Sequence, residues 1–236
     1  TVITLADATA VNVGFEAYDS ADERQALSEA GIVLKKDTAP SVDLEPEYIA
    51  AGNQTAYVSL QEANAIAVID LDSMQVTGIY SVGFEDYSVT EVDIDKKDEA
   101  YNPSTYESLK GIRMPDGIAL YTVDGTDYLL TANEGDSREW GDYLNEDERN
   151  FKDKETSPTG KITAENSGLK GKVVFFDSSD YDGLDDGTDY LFGGRSFTVF
   201  KADENGLTEV YGSGSDFEAK TAQYVPDNFN CSNDDK

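Results

Sequence analysis

Residues 177–189, DSSDYDGLDDGTD, crowd carboxylates around a glycine turn, the arrangement an oxygen-seeking cation requires. Ca²⁺ takes about six to eight oxygens, drawn from carboxylates, carbonyls and water. Asp180, Asp182 and Gly183 fall at the third, fifth and sixth places of an EF-hand-like loop, with Ser178 at the first and Asp189 at the last. Serine is a poor ligand at the first place, and aspartate is shorter than the usual closing glutamate. Asp180, Asp182, Asp185 and Asp189 therefore read as a strand-flanked Ca²⁺ loop of modest affinity, with a solvated acidic turn as the alternative. A second cluster lies in TANEGDSREW, residues 131–140. There Glu134 and Asp136 are candidate cation ligands at the mouth of a β-structure, and Glu45, Glu47, Glu62 and Asp116 sit at comparable strand ends and could join them. The structural alternative has Arg138 pairing with Glu134 or Asp136 to fix the loop, and Arg195, after Gly193-Gly194, as another ion-pairing residue.

The chain holds no histidine, so it lacks the commonest general base and the commonest Zn²⁺ ligand. A Ser-His-Asp or Cys-His centre built from this chain alone is excluded. With 48 acidic residues some pair always looks fit for glycoside or metal-assisted phosphoester hydrolysis, so that signal means little without geometry. No P-loop, dinucleotide fingerprint or zinc pattern is present. Eighteen basic residues leave a net charge of −30, a field that repels nucleic acid and anionic lipid and attracts cations. Cys231 has no partner for an internal disulfide. Asn53-Gln54-Thr55 and Asn230-Cys231-Ser232 are glycosylation triplets, which makes Asn53 and Asn230 candidate acceptors.

The elements that must position these groups read as strands. Tyr57–Leu60, Ala65–Leu71, Val76–Tyr80, Ile118–Val123 and Tyr128–Thr131 are short apolar runs between turns such as Asp124-Gly125. Three stretches, 47–83, 116–140 and 171–214, share this rhythm at the scale of propeller blades, and a sandwich has similar spacing. The fold class expected is all-β: propeller-type blades in a partial or incomplete ring, with long acidic insertions at 84–112 and 141–170 and one short helix within 20–34, capped by Ser20 or Asp22 and ended by Gly31. Residues 1–236 read as one domain or fragment, a processed form or an excised segment, because no basic, apolar leader opens the chain. Within residues 1–16, Val2–Leu5 and Val11–Phe15 read as strands that could be exchanged with a neighbour. No apolar run is long enough to span a membrane.

DLEPEYIA (43–50), AYVSLQEANAIAVIDL (56–71), PDGIALYTVDGTDYLLTANEGDSREW (115–140) and GGRSFTVFKADENGLTEVYGSGSDFE (193–218) resemble the choice-of-anchor I family, over about residues 14–236. That family includes mesenchyme-specific cell-surface glycoproteins and secreted proteins, some labelled alkaline-phosphatase-like. The resemblance implies a secreted β-propeller tied to cell surfaces, matrix or mineral. Joined to the acidity, it leads to the expectation of a non-catalytic, extracellular structural or adhesive protein that binds Ca²⁺, carries glycans and could build a fibre with copies of itself by strand addition. A metal-dependent phosphoesterase and a glycan- or protein-binding propeller are the alternatives. Neither nucleic acid nor a membrane span enters the expectation.

Overall fold

The computed structural model describes residues 9–95, 100–203 and 206–229. Strand outweighs helix, 42% to 18%, which makes the protein all-β with few helices. None of its sheets closes on itself among the described residues.

The first blade is an antiparallel meander of Pro46–Ala51, Thr55–Leu60, Ala65–Asp70 and Gln75–Ser81, paired in chain order. The continuous run Ala65–Ile69 hides the alternation expected of a strand with one wet face, and the reason is burial on both sides. Val58, Leu60, Ala65 and Ala67 pack with Leu27, Ile32 and Leu34 on one face. Tyr57 and Ile66 meet Leu129 and Phe200 of the second blade on the other. The expected helix is Ala21–Glu29; the Ser20 hydroxyl accepts from the Glu23 amide at 3.2 Å, and its one buried residue, Leu27, anchors it to the first core.

The second blade has the order Gly206–Gly212, Ser196–Asp203, Thr126–Asn133, Pro115–Val123, all antiparallel. It joins two hairpins far apart in the chain. The third rhythmic stretch is therefore not a blade of its own: its end completes the second. Its beginning, Lys172–Phe176, pairs with Glu146–Asn150. Asp189–Phe192 runs parallel to Leu109–Ile112, which pairs in turn with Phe84–Asp86.

The two supposed surface insertions are corrected by the same pairings. Tyr87, Val92, Ile94, Tyr106 and Leu109 from one, with Phe151, Ile162 and Leu169 from the other, form a core with Val173, Phe175 and Leu191. Val11–Phe15 is not a strand; a 3₁₀ turn follows at Glu16–Tyr18, and Phe15 packs into the chain's own first core. Val2–Leu5 lies outside the described residues. No described helix is long and apolar enough to cross a membrane.

Candidate functional site: an acidic mouth shared by two blades

Each blade opens in the same way. Pro46 pairs with Leu60 and the register then slips before Ile49; Pro115 pairs with Asn133 and the register slips before Ile118. Proline suits the first residue of a strand, where its missing N–H breaks no ladder bond, and a bulge re-aims the residue behind it. Glu47 and Asp116 occupy this slot in the two blades. Gln61 and Glu134 occupy a second pair of matching slots, each just past the residue that pairs with the proline. These four, with Tyr48 and Asp136, line one open cavity of about 400 Å³.

Two glycines set the loop that carries Glu134 and Asp136. Gly135 (φ +88°) and Gly193 (φ +74°) cross backbone against backbone, so closely that a Cβ on Gly193 would sit inside the Glu134 carbonyl and one on Gly135 inside the Gly193 amide. Only glycine combines that dihedral with that approach.

The mouth carboxylates have no basic partner among the described residues. Partial burial raises the Glu47 carboxyl above its usual range, and Asp116, Asp136 and Glu45 push it the same way. Burial, Asp116 and Asp136 do the same to Glu134. Gln61 is only 5% exposed, and its carboxamide has no hydrogen-bond partner among the described residues.

Glu62, next along the chain, is 6% exposed with Oε2 unpartnered. Burial is the main cause that pushes its carboxyl up to about 7; Glu45 and Glu47 add to the rise, while a backbone hydrogen bond and Arg138 oppose it. A folded pKa above the unfolded value of about 4.5 means the native state holds the extra proton between those limits. This residue's stabilising contribution is full below about pH 4.5 and is lost as pH rises through about 7. Glu62→Gln should remove that slope and leave the protein more stable than the native chain at pH 8, by about 2 kcal/mol. Thermal unfolding of both from pH 4 to 8 checks it; parallel curves would mean Glu62 ionises normally.

Arg138 does not pair with Glu134 or Asp136. Its guanidinium turns inward, with Nη2 3.3 Å from Asp43 Oδ2 and donating to the Val33 carbonyl, and lies 5.1 Å over the Tyr181 ring. Arg195 pairs with Glu218 at 2.6 Å and donates to the Asp93 carbonyl.

The Asp-rich loop is not drawn together into a cage. Asp180 faces Lys35 at 3.3 Å, Asp182 faces Arg24 at 2.7 Å and Asp185 faces Lys110 at 2.6 Å. Asp189 is buried and accepts from the Thr159 amide and hydroxyl. Each carboxylate answers a different neighbour, so the loop ties several elements together, with Tyr181–Asp182 paired to the strand Leu34–Lys35. Among the described residues no three acidic or cysteine side chains are grouped closely enough to hold a metal ion. Asn53 is exposed in the turn at the other end of the first blade from the mouth. Asn230 and Cys231 lie outside the described residues.

Sequence reasoning gathered the mouth's acidic residues but missed Gln61 and Tyr48. The signal was present as an internal echo: PEYIA at 46–50 and PDGIA at 115–119, each followed by a second strand that ends just before Gln61 in one case and Glu134 in the other. No curated protein and no solved structure matches the chain. The family model of the choice-of-anchor I domain matches residues 1–236; the chain thus belongs to the choice-of-anchor I family, which sets it among cell-surface-associated or extracellular proteins.

Proposed function

We propose that the protein is a non-catalytic surface or matrix module, adhesive or structural in role, and that the mouth is its working face for positively charged ligands, Ca²⁺ among them. One observation carries the reading: Glu47 of the first blade and Asp116, Glu134 and Asp136 of the second line one cavity with no basic partner among the described residues. Like charges held together raise each other's proton affinity and lower the free energy of any cation that enters. The rest of the acidic surface draws such ligands in at long range, an effect that salt screens. Sugar on Asn53 would leave the mouth open, because that turn lies at the far end of the blade.

Calorimetric titration with CaCl₂ and with spermidine tests the reading. The double variant Glu134→Gln/Asp136→Asn should weaken both ligands by about tenfold or more, the scale of a lost charged contact. Unchanged affinity would remove the mouth from the account. Turnover of a generic phosphomonoester in Ca²⁺, Mg²⁺ or Zn²⁺, lost in the same variant, would replace it with a phosphoesterase.

A further inference from the structure

We infer that the ligand the mouth is shaped for is the guanidinium or ammonium tip of a basic side chain presented by a partner protein, rather than a bare metal ion. The inference rests on the cation-binding reading and narrows it. A cavity of about 400 Å³ has the volume of an organic ligand site. A bare Ca²⁺ needs about six to eight oxygens within about 2.6 Å, and no three carboxylates among the described residues are so grouped. Closing them on an ion would require two separate strand bulges, at Glu47 and Asp116, to move toward each other.

The uncharged lining points the same way. Tyr48 stands on the wall with its side chain half exposed, offering a ring face to a cation. Gln61 is 5% exposed and lines the cavity, and its carboxamide has no hydrogen-bond partner among the described residues, so it has a carbonyl acceptor ready for an N–H donor. A guanidinium has five donors in a planar fork and stacks on aromatic faces, so it can use the carboxylates on both blades, the amide and the ring together. A spherical ion draws nothing from the ring's shape.

Neutral substitutions separate this from the general attraction of a chain with net charge −30 for any cation. The probe is a short, fluorescently labelled arginine–glycine peptide, titrated by anisotropy, with CaCl₂ as the parallel ligand. Tyr48→Ala should weaken peptide binding about threefold and Tyr48→Phe should preserve it, since the ring rather than the hydroxyl is used. Gln61→Leu should weaken it about tenfold. Asp72→Asn, a charge removed from the exposed turn at the other end of the first blade, should change little. Because Tyr48 is half exposed, its variants test the idea even if Gln61→Leu folds poorly. Equal losses in Tyr48→Ala and Asp72→Asn would reduce peptide binding to diffuse charge and overturn the inference. So would Ca²⁺ binding that needs Gln61 beside peptide binding indifferent to Tyr48; in that outcome the mouth remains a cation site and only the ligand class is lost. Indifference of both ligands to Glu134→Gln would instead remove the cation-binding reading itself.

Discussion

Gly193→Ala is expected to cost about 3 kcal/mol or more and to lower the melting temperature by roughly 10 °C, with cation binding at the mouth lost as well. Two effects add. At φ +74° an alanine is strained by about 1–2 kcal/mol wherever it stands. Here its Cβ would also enter the Glu134 carbonyl, a backbone atom that cannot swing aside. The same region holds the Gly194 and Arg195 amides on the Asn133 carbonyl, each at 3.0 Å, so relief of the clash breaks the join between the two central strands of the second blade. Gly125→Ala is the control. Its φ is +76°, but nothing lies within 4 Å of the added carbon, so it should show the dihedral strain alone, about 1 kcal/mol. Calorimetric melting of both variants separates the terms; equal losses would mean that the crossing at Gly135 and Gly193 yields to the added carbon without cost.

Local chemistry was readable from the residues and distant pairing was not. Ser20, Leu27 and Gly31 announced the helix, and Asp124-Gly125 announced a hairpin whose two central residues both have positive φ, +49° and +76°. The first blade followed because its strands pair in chain order. The second did not: the hairpin at 115–133 finds Ser196–Asp203 only after a long excursion, and nothing in either segment's period says which sheet it will join. The excursion misled for a compositional reason. Residues 84–112 and 141–170 are polar on average, yet single residues such as Tyr106, Phe151 and Ile162 converge on one core.

The acidic sites divide along similar lines. Glu134 and Asp136 pointed to the mouth, because strand ends at one edge of two blades must be neighbours. The Asp-rich loop looked the better cation site in sequence because its ligands are contiguous. Spacing carried no record of Lys35, Arg24 and Lys110, which lie far away in the chain and take its carboxylates one by one.

Asp43→Ala should be the most damaging single change at a charged residue, at about 3–5 kcal/mol, the usual loss when one partner of a buried ion pair is removed. Asp43 and Arg138 are each 1% exposed. Asp43 Oδ2 accepts from the Lys35 amide at 2.8 Å and from Arg138. Arg138 Nε and Nη1 have no partner among the described residues, so Asp43 is the only carboxylate its guanidinium touches there. Without it a full charge stays buried beside the Tyr181 ring with one weak carbonyl contact. Arg138→Met should also destabilise, because it leaves the Asp43 carboxylate buried; it should further push the Glu62 carboxyl up slightly, since Arg138 adds to the backbone hydrogen bond that lowers it. The double variant Asp43→Ala/Arg138→Met should lose clearly less than the sum of the two, since neither lone charge remains. Chemical unfolding of the four chains gives the coupling directly. A sum that adds within about 0.5 kcal/mol would mean the pair is not a unit.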